Sequence, residues 1–463
     1  MTIYPFTLKE LRQLTRSKII AGSPITYLFL ALAITYLVPL HGIEPDTGNV
    51  IFRFVVLLCM VMVSLFIPTH LFIRLLKECG NRNQIDISFI TACQPNHIVD
   101  GKLASAFTLM GLYITASLPF CTVAHLLNGI DYISMAKLLT LQSCIAATLI
   151  ATALCIGLIR IPKPLKIICG LGMICSFFTT SAGIMLSMTE ANDFDYPVLT
   201  IIALTLTYLL IARSFAISFI APLTQQRDKA IRLVSIVAII GWFIYAILNS
   251  PITDHCCEFS VKVRDSEAIL TWAFFSMLLI LAIGIKAATE PIGYSRRMLL
   301  ELPAKKWQRW LSWPLSNGAV NGLTFTFIMG MLVSSSMPLL QSYYSHDHHN
   351  GFFKAPYIIM TLGLYLFSII LYIRALWRLL SRYWNINAIL IPIVSIVLFI
   401  IIQTIPSLLR LYEITTSYPI PFTIGELGDR PVVHLLYAAA AFIIALSVNL
   451  KAMRKALRDY FNA

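Results

Sequence analysis

The side chains best suited to chemistry fall in two polar stretches between apolar runs. One stretch, 346–349, reads HDHH, and the other, 254–258, reads DHCCE. Imidazole, thiolate and carboxylate groups are the usual ligands of zinc, and Cys256 and Cys257 offer thiols for a disulfide instead. Neither stretch has a second ligand set at a fixed spacing. We therefore interpret both as solvated loops and predict no metal and no cofactor in this chain.

The short motifs of the common enzyme classes are absent from the sequence. It contains no GxxxxGKS/T phosphate-binding loop, no HExxH zinc motif and no GxSxG nucleophile motif. No pair of carboxylates falls within an apolar run, as a proton relay in a membrane would require. These absences weigh against an enzyme and against an ion-coupled carrier.

The composition is that of a membrane protein. Hydrophobic residues make up 58% of the 463 residues and charged residues 12%, against about 25% charged in soluble domains. The net charge of +13 comes from basic residues that recur between apolar runs. This is the pattern of membrane flanks, so we expect no nucleic-acid partner.

Twelve apolar runs are long enough for a helix that crosses a bilayer, which takes about 20 residues. The runs are continuous and do not alternate as barrel strands do, so the predicted fold is an all-α, polytopic bundle. The predicted spans are 19–40, 51–73, 103–127, 136–159, 165–188, 197–220, 231–249, 268–286, 319–340, 356–377, 388–409 and 432–450. We expect a first six-span unit over 19–222 and a second over 223–463.

The distribution of basic residues predicts the orientation. With the N-terminus in the cytoplasm, 28 of the 35 lysines and arginines lie inside. The other seven are Arg53, Lys137, Lys262, Arg264, Lys354, Arg410 and Arg430. Basic residues concentrate on the cytoplasmic side, so we place the chain in the cytoplasmic membrane with both termini inside.

Residues 1–18 are predicted to form an amphipathic helix on the inner leaflet. Thr7 and Glu10 have the spacing of a capping box that would begin this helix. Lys9, Arg12 and Arg16 then share one face and could reach anionic lipid. A second cytoplasmic surface segment is expected over 286–318, where tryptophans alternate with basic residues.

A polar cytoplasmic loop, 77–102, separates the second and third predicted spans. Asp86 is placed to cap a short helix, and Pro95 and Asn96 end that helix and restart the chain as the third span. Apolar side chains on that helix could lie back on the membrane or insert into a soluble partner. The residues assigned to partner coupling are Asp86, Ser88, Phe89, Ile90, Thr91, Pro95 and Lys102.

Charged residues inside the predicted spans are few. Arg374 and Arg378 lie near a span end and can reach the headgroups. Arg53 and Arg213 are the better candidates for lining a polar pathway.

Five stretches together resemble one known family. They are FTLKELRQLTRSK (6–18), IDISFITACQPNHIVDGKL (85–103), LPFCTVAHLLNGIDY (118–132), TEPIGYSRR (289–297) and WPLSNGAVNGLTF (313–325). They resemble the permease subunits of ATP-binding-cassette (ABC) transporters of the type-2 exporter class. The resemblance implies a surface helix at the N-terminus and a coupling helix in the loop after span two, which meets a separate ATPase subunit. ATP would be bound and hydrolysed by that partner.

Two other functions are compatible with the sequence. Twelve spans also suit a secondary transporter, and a membrane-embedded enzyme acting on lipid or glycan would need a polar catalytic cluster. Homodimeric and heterodimeric assemblies both remain open, and the sequence does not name the transported substrate.

Overall fold

The computed structural model describes residues 3–38, 47–80, 95–127, 130–159, 163–191, 198–221, 226–248, 259–288, 290, 305–344, 363–364, 367–375 and parts of 439–458. Every regular element in these ranges is helical. The chain divides into two compact units, Met1–Ala221 and Pro222–Ala463.

The helices of the first unit are α1 (Ile3–Thr15), α2 (Lys18–Leu37), α3 (Thr47–Met60), a π-helical turn (Val61–Phe66), α4 (Ile67–Gly80), α5 (Pro95–Leu126), α6 (Tyr132–Leu158), α7 (Lys163–Ala191) and α8 (Val198–Ile220). Those of the second unit are α9 (Lys229–Leu248), α10 (Phe259–Ala288), α11 (Lys306–Ser312) and α12 (Ala319–Tyr344). Residues 367–375 are also helical.

Eight helical stretches of the described residues are long and apolar enough to cross a membrane. They are Lys18–Leu37, Thr47–Glu78, Pro95–Leu126, Tyr132–Leu158, Val198–Ile220, Lys229–Leu248, Thr271–Ala288 and Ala319–Ser336. Over the described residues, the prediction of an all-helical, multi-pass membrane protein is therefore confirmed. The predicted span 165–188 coincides with α7, while 388–409 lies outside the described residues. The count of twelve and the sidedness of the termini stay predictions.

One face of α2 shows the surface expected of a membrane helix. Ile25, Phe29, Leu32 and Tyr36 follow one another by three or four residues, and each is at least 60% exposed. Such a stripe of large apolar side chains is unfavourable in water but suits contact with lipid tails.

Helix α6 lies at the centre of the first unit, where small residues let neighbouring helices approach closely. Two-thirds of the most apolar 18-residue segment of α6 is buried, the largest share among the eight stretches. A Cβ atom on Gly157 would lie 2.6 Å from Cδ1 of Leu75 in α4. Close backbone approach through small residues is a common way for membrane helices to associate.

The second unit has a similar close contact between α10 and α12. A Cβ atom on Gly322 would overlap Cβ of Ala287, and Ala288, Leu323 and Ile370 belong to one buried apolar cluster. Helix α9 joins this pair through the indole of Trp272, which donates to the carbonyl of Ile239 at 2.9 Å.

The predicted start of the first helix is wrong. Helix α1 begins at Ile3, so Thr7 lies within the helix and does not cap it. Helix α5 begins at Pro95, where the sequence predicted the chain to restart, so the last part of the predicted loop, with Asp100 and Lys102, is helical. These charges suggested a loop, but both are neutralised by ion pairs with other helices, which lets the helix continue through them.

Candidate functional site

The first candidate site is a four-residue charged group that we call cluster 1: Glu10, Arg74, Glu78 and Lys102. Arg74 lies 2.6 Å from Glu10 and 3.0 Å from Glu78, measured between side-chain nitrogen and oxygen atoms. Lys102 lies 3.3 Å from Glu10 and 2.5 Å from Glu78. Each base therefore contacts both acids, and the four formal charges cancel.

Cluster 1 is largely removed from water. The side chains of Glu10 and Lys102 are 5% and 6% exposed, and that of Glu78 is 28% exposed. Removing one partner of a buried ion pair leaves the other charge uncompensated, which typically costs about 3–5 kcal/mol. The Glu10–Lys102 pair is therefore expected to contribute more than the pairs that involve Glu78.

The members of cluster 1 come from α1 and from α4 and α5, the two helices that flank segment 81–94 in the sequence. Glu10 lies on α1, Arg74 and Glu78 near the end of α4, and Lys102 near the start of α5. The ion pairs thus connect both ends of segment 81–94 to α1. Gln13 of α1 strengthens this connection by accepting a hydrogen bond from Arg74 at 2.5 Å.

The residues assigned to partner coupling fall into two groups. Asp86, Ser88, Phe89, Ile90 and Thr91 lie outside the described residues. Pro95 is the first residue of α5, and Lys102 is a buried member of cluster 1.

The basic residues assigned to lipid binding lie on the exposed side of α1 and directly after its last residue. Lys9, Arg12 and Arg16 are all exposed, whereas Leu14 on the other side is buried. Glu10 was expected at the beginning of this helix and instead points into cluster 1.

The two arginines assigned to a polar pathway are far apart. The guanidinium of Arg213 binds the carboxylate of Asp100 through two contacts of 2.5 and 2.7 Å, which ties α8 to the beginning of α5. Arg53 is half-buried near the start of α3. It lies 21 residues before Arg74, or roughly 30 Å along the helix axis. Asp100, the partner of Arg213, lies two residues before Lys102, which shares Glu78 with Arg74, so the structure does not bring Arg53 and Arg213 into one site.

The second unit contains a matching charged group, cluster 2: Asp228, Arg232, Lys286 and Glu290. Lys286 makes a short contact with Asp228 and lies 3.5 Å from Glu290. Arg232 lies 3.5 Å from Asp228 and 4.0 Å from Glu290. Again each base contacts both acids, and the side chains are 1–11% exposed.

Backbone groups complete cluster 2. Arg232 donates to the carbonyls of Pro314 (2.9 Å) and Ser316, and the amide of Gly318 donates to Glu290 at 3.3 Å. Gly318 has a φ of 122°, a conformation that glycine adopts far more readily than other residues. The turn before α12 is thereby fixed onto the charged group.

Two further arginines bind Glu290, each through a different part of the residue. Arg227 lies 3.2 Å from its carboxylate. Arg374, 3% exposed, donates to the backbone carbonyls of Ala288 and Glu290, each at 2.6 Å. The prediction that Arg374 reaches the headgroups is therefore wrong, because its guanidinium is buried at the end of α10.

The two carboxyls of cluster 2 differ in acidity. Burial acts to raise the pKa of Asp228, but Lys286 and Arg232 outweigh burial and hold that pKa below its usual range. Burial and the neighbouring Asp228 raise the pKa of Glu290. The distances agree with this order, because Lys286 is much closer to Asp228 than to Glu290. Asp228 is therefore the ionised member and Glu290 the member that takes up a proton more readily.

Both clusters were missed in the sequence, although part of the signal was present. Arg74 precedes Glu78 by four residues, and Lys286 precedes Glu290 by four, in each case where an apolar run ends. Residues at that spacing face one another on a helix. The remaining contacts join residues far apart in sequence and leave no local pattern.

The stretches 254–258 and 346–349 lie outside the described residues. Within the described ranges, no group of three or more histidine, cysteine, aspartate or glutamate side chains is arranged to hold a metal ion. Comparison of the chain with protein-family models, with curated proteins and with solved structures gives no match.

Proposed function

We propose that this chain is the membrane-spanning permease subunit of an ABC-type exporter, which moves its substrate with ATP hydrolysed by a separate ATPase subunit. The chain would cross the cytoplasmic membrane about twelve times with both termini inside. The observation that carries the proposal is cluster 1, because it connects the N-terminal surface helix with both flanks of segment 81–94, the stretch that resembles a coupling loop.

A partner that binds 81–94 needs a stiff connection to the spans in order to move them. Ion pairs that are largely removed from water provide such a connection, because separating Glu10 from Lys102 would leave two buried charges unpaired. A displacement of the loop would therefore be passed to α4, α5 and α1 together. Rigid-body motions of this kind underlie many switching transitions.

The surface helix would follow that motion along the membrane. Lys9 and Arg12 are exposed on α1, and Arg16 is exposed directly after it. Basic residues near an anionic leaflet contribute about 1 kcal/mol each. In this proposal anionic lipids hold α1 at the surface while cluster 1 joins it to the spans.

The proposal is tested by co-purification with a P-loop ATPase encoded beside this chain. The expected result is that the two proteins co-purify, and that Phe89→Asp abolishes both the complex and ATP-driven transport in proteoliposomes. Ile133→Asp is the matched control, since Ile133 is 67% exposed in the first turn of α6 and lies on the opposite side in the proposed topology. An active chain that never binds an ATPase, and that tolerates Phe89→Asp, would refute the proposal.

One observation favours a secondary transporter as the second candidate. The buried carboxyls of Asp228 and Glu290 both contact Lys286, and proton-coupled carriers use carboxyl groups whose protonation changes. This candidate predicts proton flux in proteoliposomes that contain the chain alone, and loss of that flux in Glu290→Gln. The ABC proposal predicts no proton flux in either sample.

A further inference from the structure

The interior of the first unit contains a group of uncharged polar side chains that we call the Gln142 cluster. Its members are Tyr27 of α2, Cys59 of α3, Ser117 and Cys121 of α5, and Gln142 of α6, all 0% exposed. The thiol of Cys59 lies beside Tyr27, Ser117 and Gln142, and Cys121 lies beside Ser117. Four helices thus bring five polar side chains together in an otherwise apolar core.

Part of the hydrogen-bonding capacity of this cluster is not used within the described residues, although Ser117 donates to the carbonyl of Ile114 at 2.7 Å. Neither the amide nitrogen nor the amide oxygen of Gln142 has a partner there at normal hydrogen-bond geometry, and neither does the hydroxyl of Tyr27. The Cys59 thiol lies beside both side chains, but a thiol is only a weak hydrogen-bonding group. Nearby Tyr113 differs, because its hydroxyl is paired with Ser23 at 2.6 Å. Buried polar groups are nearly always partnered, because leaving one unpaired is destabilising. The cluster therefore offers donors and acceptors to a group from outside the chain.

We propose that the Gln142 cluster binds the hydroxyl group of a small uncharged molecule, either water or a hydroxyl-bearing compound, held between the Gln142 amide and the Tyr27 hydroxyl. A hydroxyl can accept from one of these side chains and donate to the other. The ligand is uncharged, because none of the five side chains carries a charge and an uncompensated ion at this depth would be costly. The π-helical turn begins two residues after Cys59, and such turns occur frequently at functional sites.

A double-mutant cycle tests this proposal in the purified full chain in a nonionic detergent. Gln142→Leu and Tyr27→Phe each remove one polar group, and each is expected to lower the thermal unfolding midpoint by about 2–4 °C. Because one bound molecule bridges both groups, the double variant should fall little further than either single variant. Tyr113→Phe combined with Gln142→Leu is the control, and those two shifts should add. Gln142→Met, which keeps the unbranched shape, replaces Gln142→Leu if that variant does not fold.

The cycle is run in plain buffer and again with 1,2-propanediol. Non-additive shifts in plain buffer identify water as the ligand, and non-additivity that appears only with the diol identifies a larger hydroxyl compound. The proposal is overturned if either single variant raises the midpoint, since an unoccupied site gains stability when its polar groups are removed. It is also overturned if the two shifts simply add in both buffers.

Discussion

Replacing Lys102 with methionine should destabilise the first unit more than any exposed lysine replacement. Methionine has a similar length but no charge, so Glu10 would lose its buried partner at 3.3 Å and Glu78 its partner at 2.5 Å. Leaving a buried charge unpaired costs about 3–5 kcal/mol. Glu78 is 28% exposed, so losing its contact with Lys102 should cost little, closer to the roughly 0–1 kcal/mol of surface pairs. Arg74 still contacts both acids in the variant, so we expect a total loss of stability at the lower end of the range for buried pairs, about 3 kcal/mol.

Thermal unfolding in detergent measures this cost. A loss of about 3 kcal/mol should lower the midpoint by about 6–12 °C for a unit of this size. Lys9→Met is the matched control, because Lys9 is exposed on α1, and its midpoint should stay near that of the unchanged protein.

A second substitution separates loss of charge balance from loss of packing. Lys102→Met combined with Glu10→Gln leaves Arg74 with Glu78 and no net charge, so the double variant should be more stable than Lys102→Met alone. If Lys102→Met behaves like the Lys9 control, or if Glu10→Gln adds further destabilisation, the view of cluster 1 as a balanced buried group is refuted.

Three further predictions concern other contacts. In cluster 2, Asp228→Asn should be destabilising near neutral pH, whereas Glu290→Gln should be mild, because the pKa of Asp228 is lowered and that of Glu290 is raised. A carboxyl whose pKa is raised in the folded state stabilises the protein fully below its unfolded pKa and loses that contribution as pH rises through the folded pKa. The unfolding midpoint of the unchanged protein should therefore converge with that of Glu290→Gln, or fall below it, as pH rises. Parallel curves of midpoint against pH for the two proteins would contradict this. Arg213→Lys should lose about 1 kcal/mol in a denaturant titration, because lysine cannot reproduce the paired contacts of 2.5 and 2.7 Å, and an unchanged midpoint would exclude a stabilising role. Gly157→Ala should cost about 1–3 kcal/mol through overpacking, because its Cβ would meet a leucine side chain at 2.6 Å, whereas Gly172→Ala, which has open space, should not destabilise.

The sequence was sufficient for the membrane class and for most of the spans, because long continuous apolar runs are rare in proteins that do not cross a bilayer. It was insufficient where a charge is neutralised by a distant residue. Asp100 and Lys102 suggest a loop when only neighbouring residues are considered, yet their partners are Arg213 and Glu10, from α8 and α1. Those partners allow the helix to begin at Pro95.

The same limitation applies at the N-terminus. Thr7 and Glu10 have a capping spacing, but the helix already begins at Ile3, and Glu10 is bound by bases from two other helices. In the second unit, only the contact between Lys286 and Glu290 has a local spacing, whereas Asp228 and Lys286 are 58 residues apart. Segments that are adjacent only after folding have no signature in one sequence.

The π-helical turn at Val61–Phe66 lies between α3 and α4 and determines the directions in which the side chains of α4 point relative to those of α3. Each residue of an α-helix turns the chain by about 100°, and a π-turn takes up roughly one additional residue without advancing that rotation. A helical wheel drawn through this span at α spacing would therefore misplace Arg74 relative to Cys59 by about a quarter of a turn. Deleting one residue within the turn would convert it to α-helix and keep both side chains in their present directions. The same deletion in α3 or α4 would rotate Cys59 out of the Gln142 cluster or Arg74 out of cluster 1.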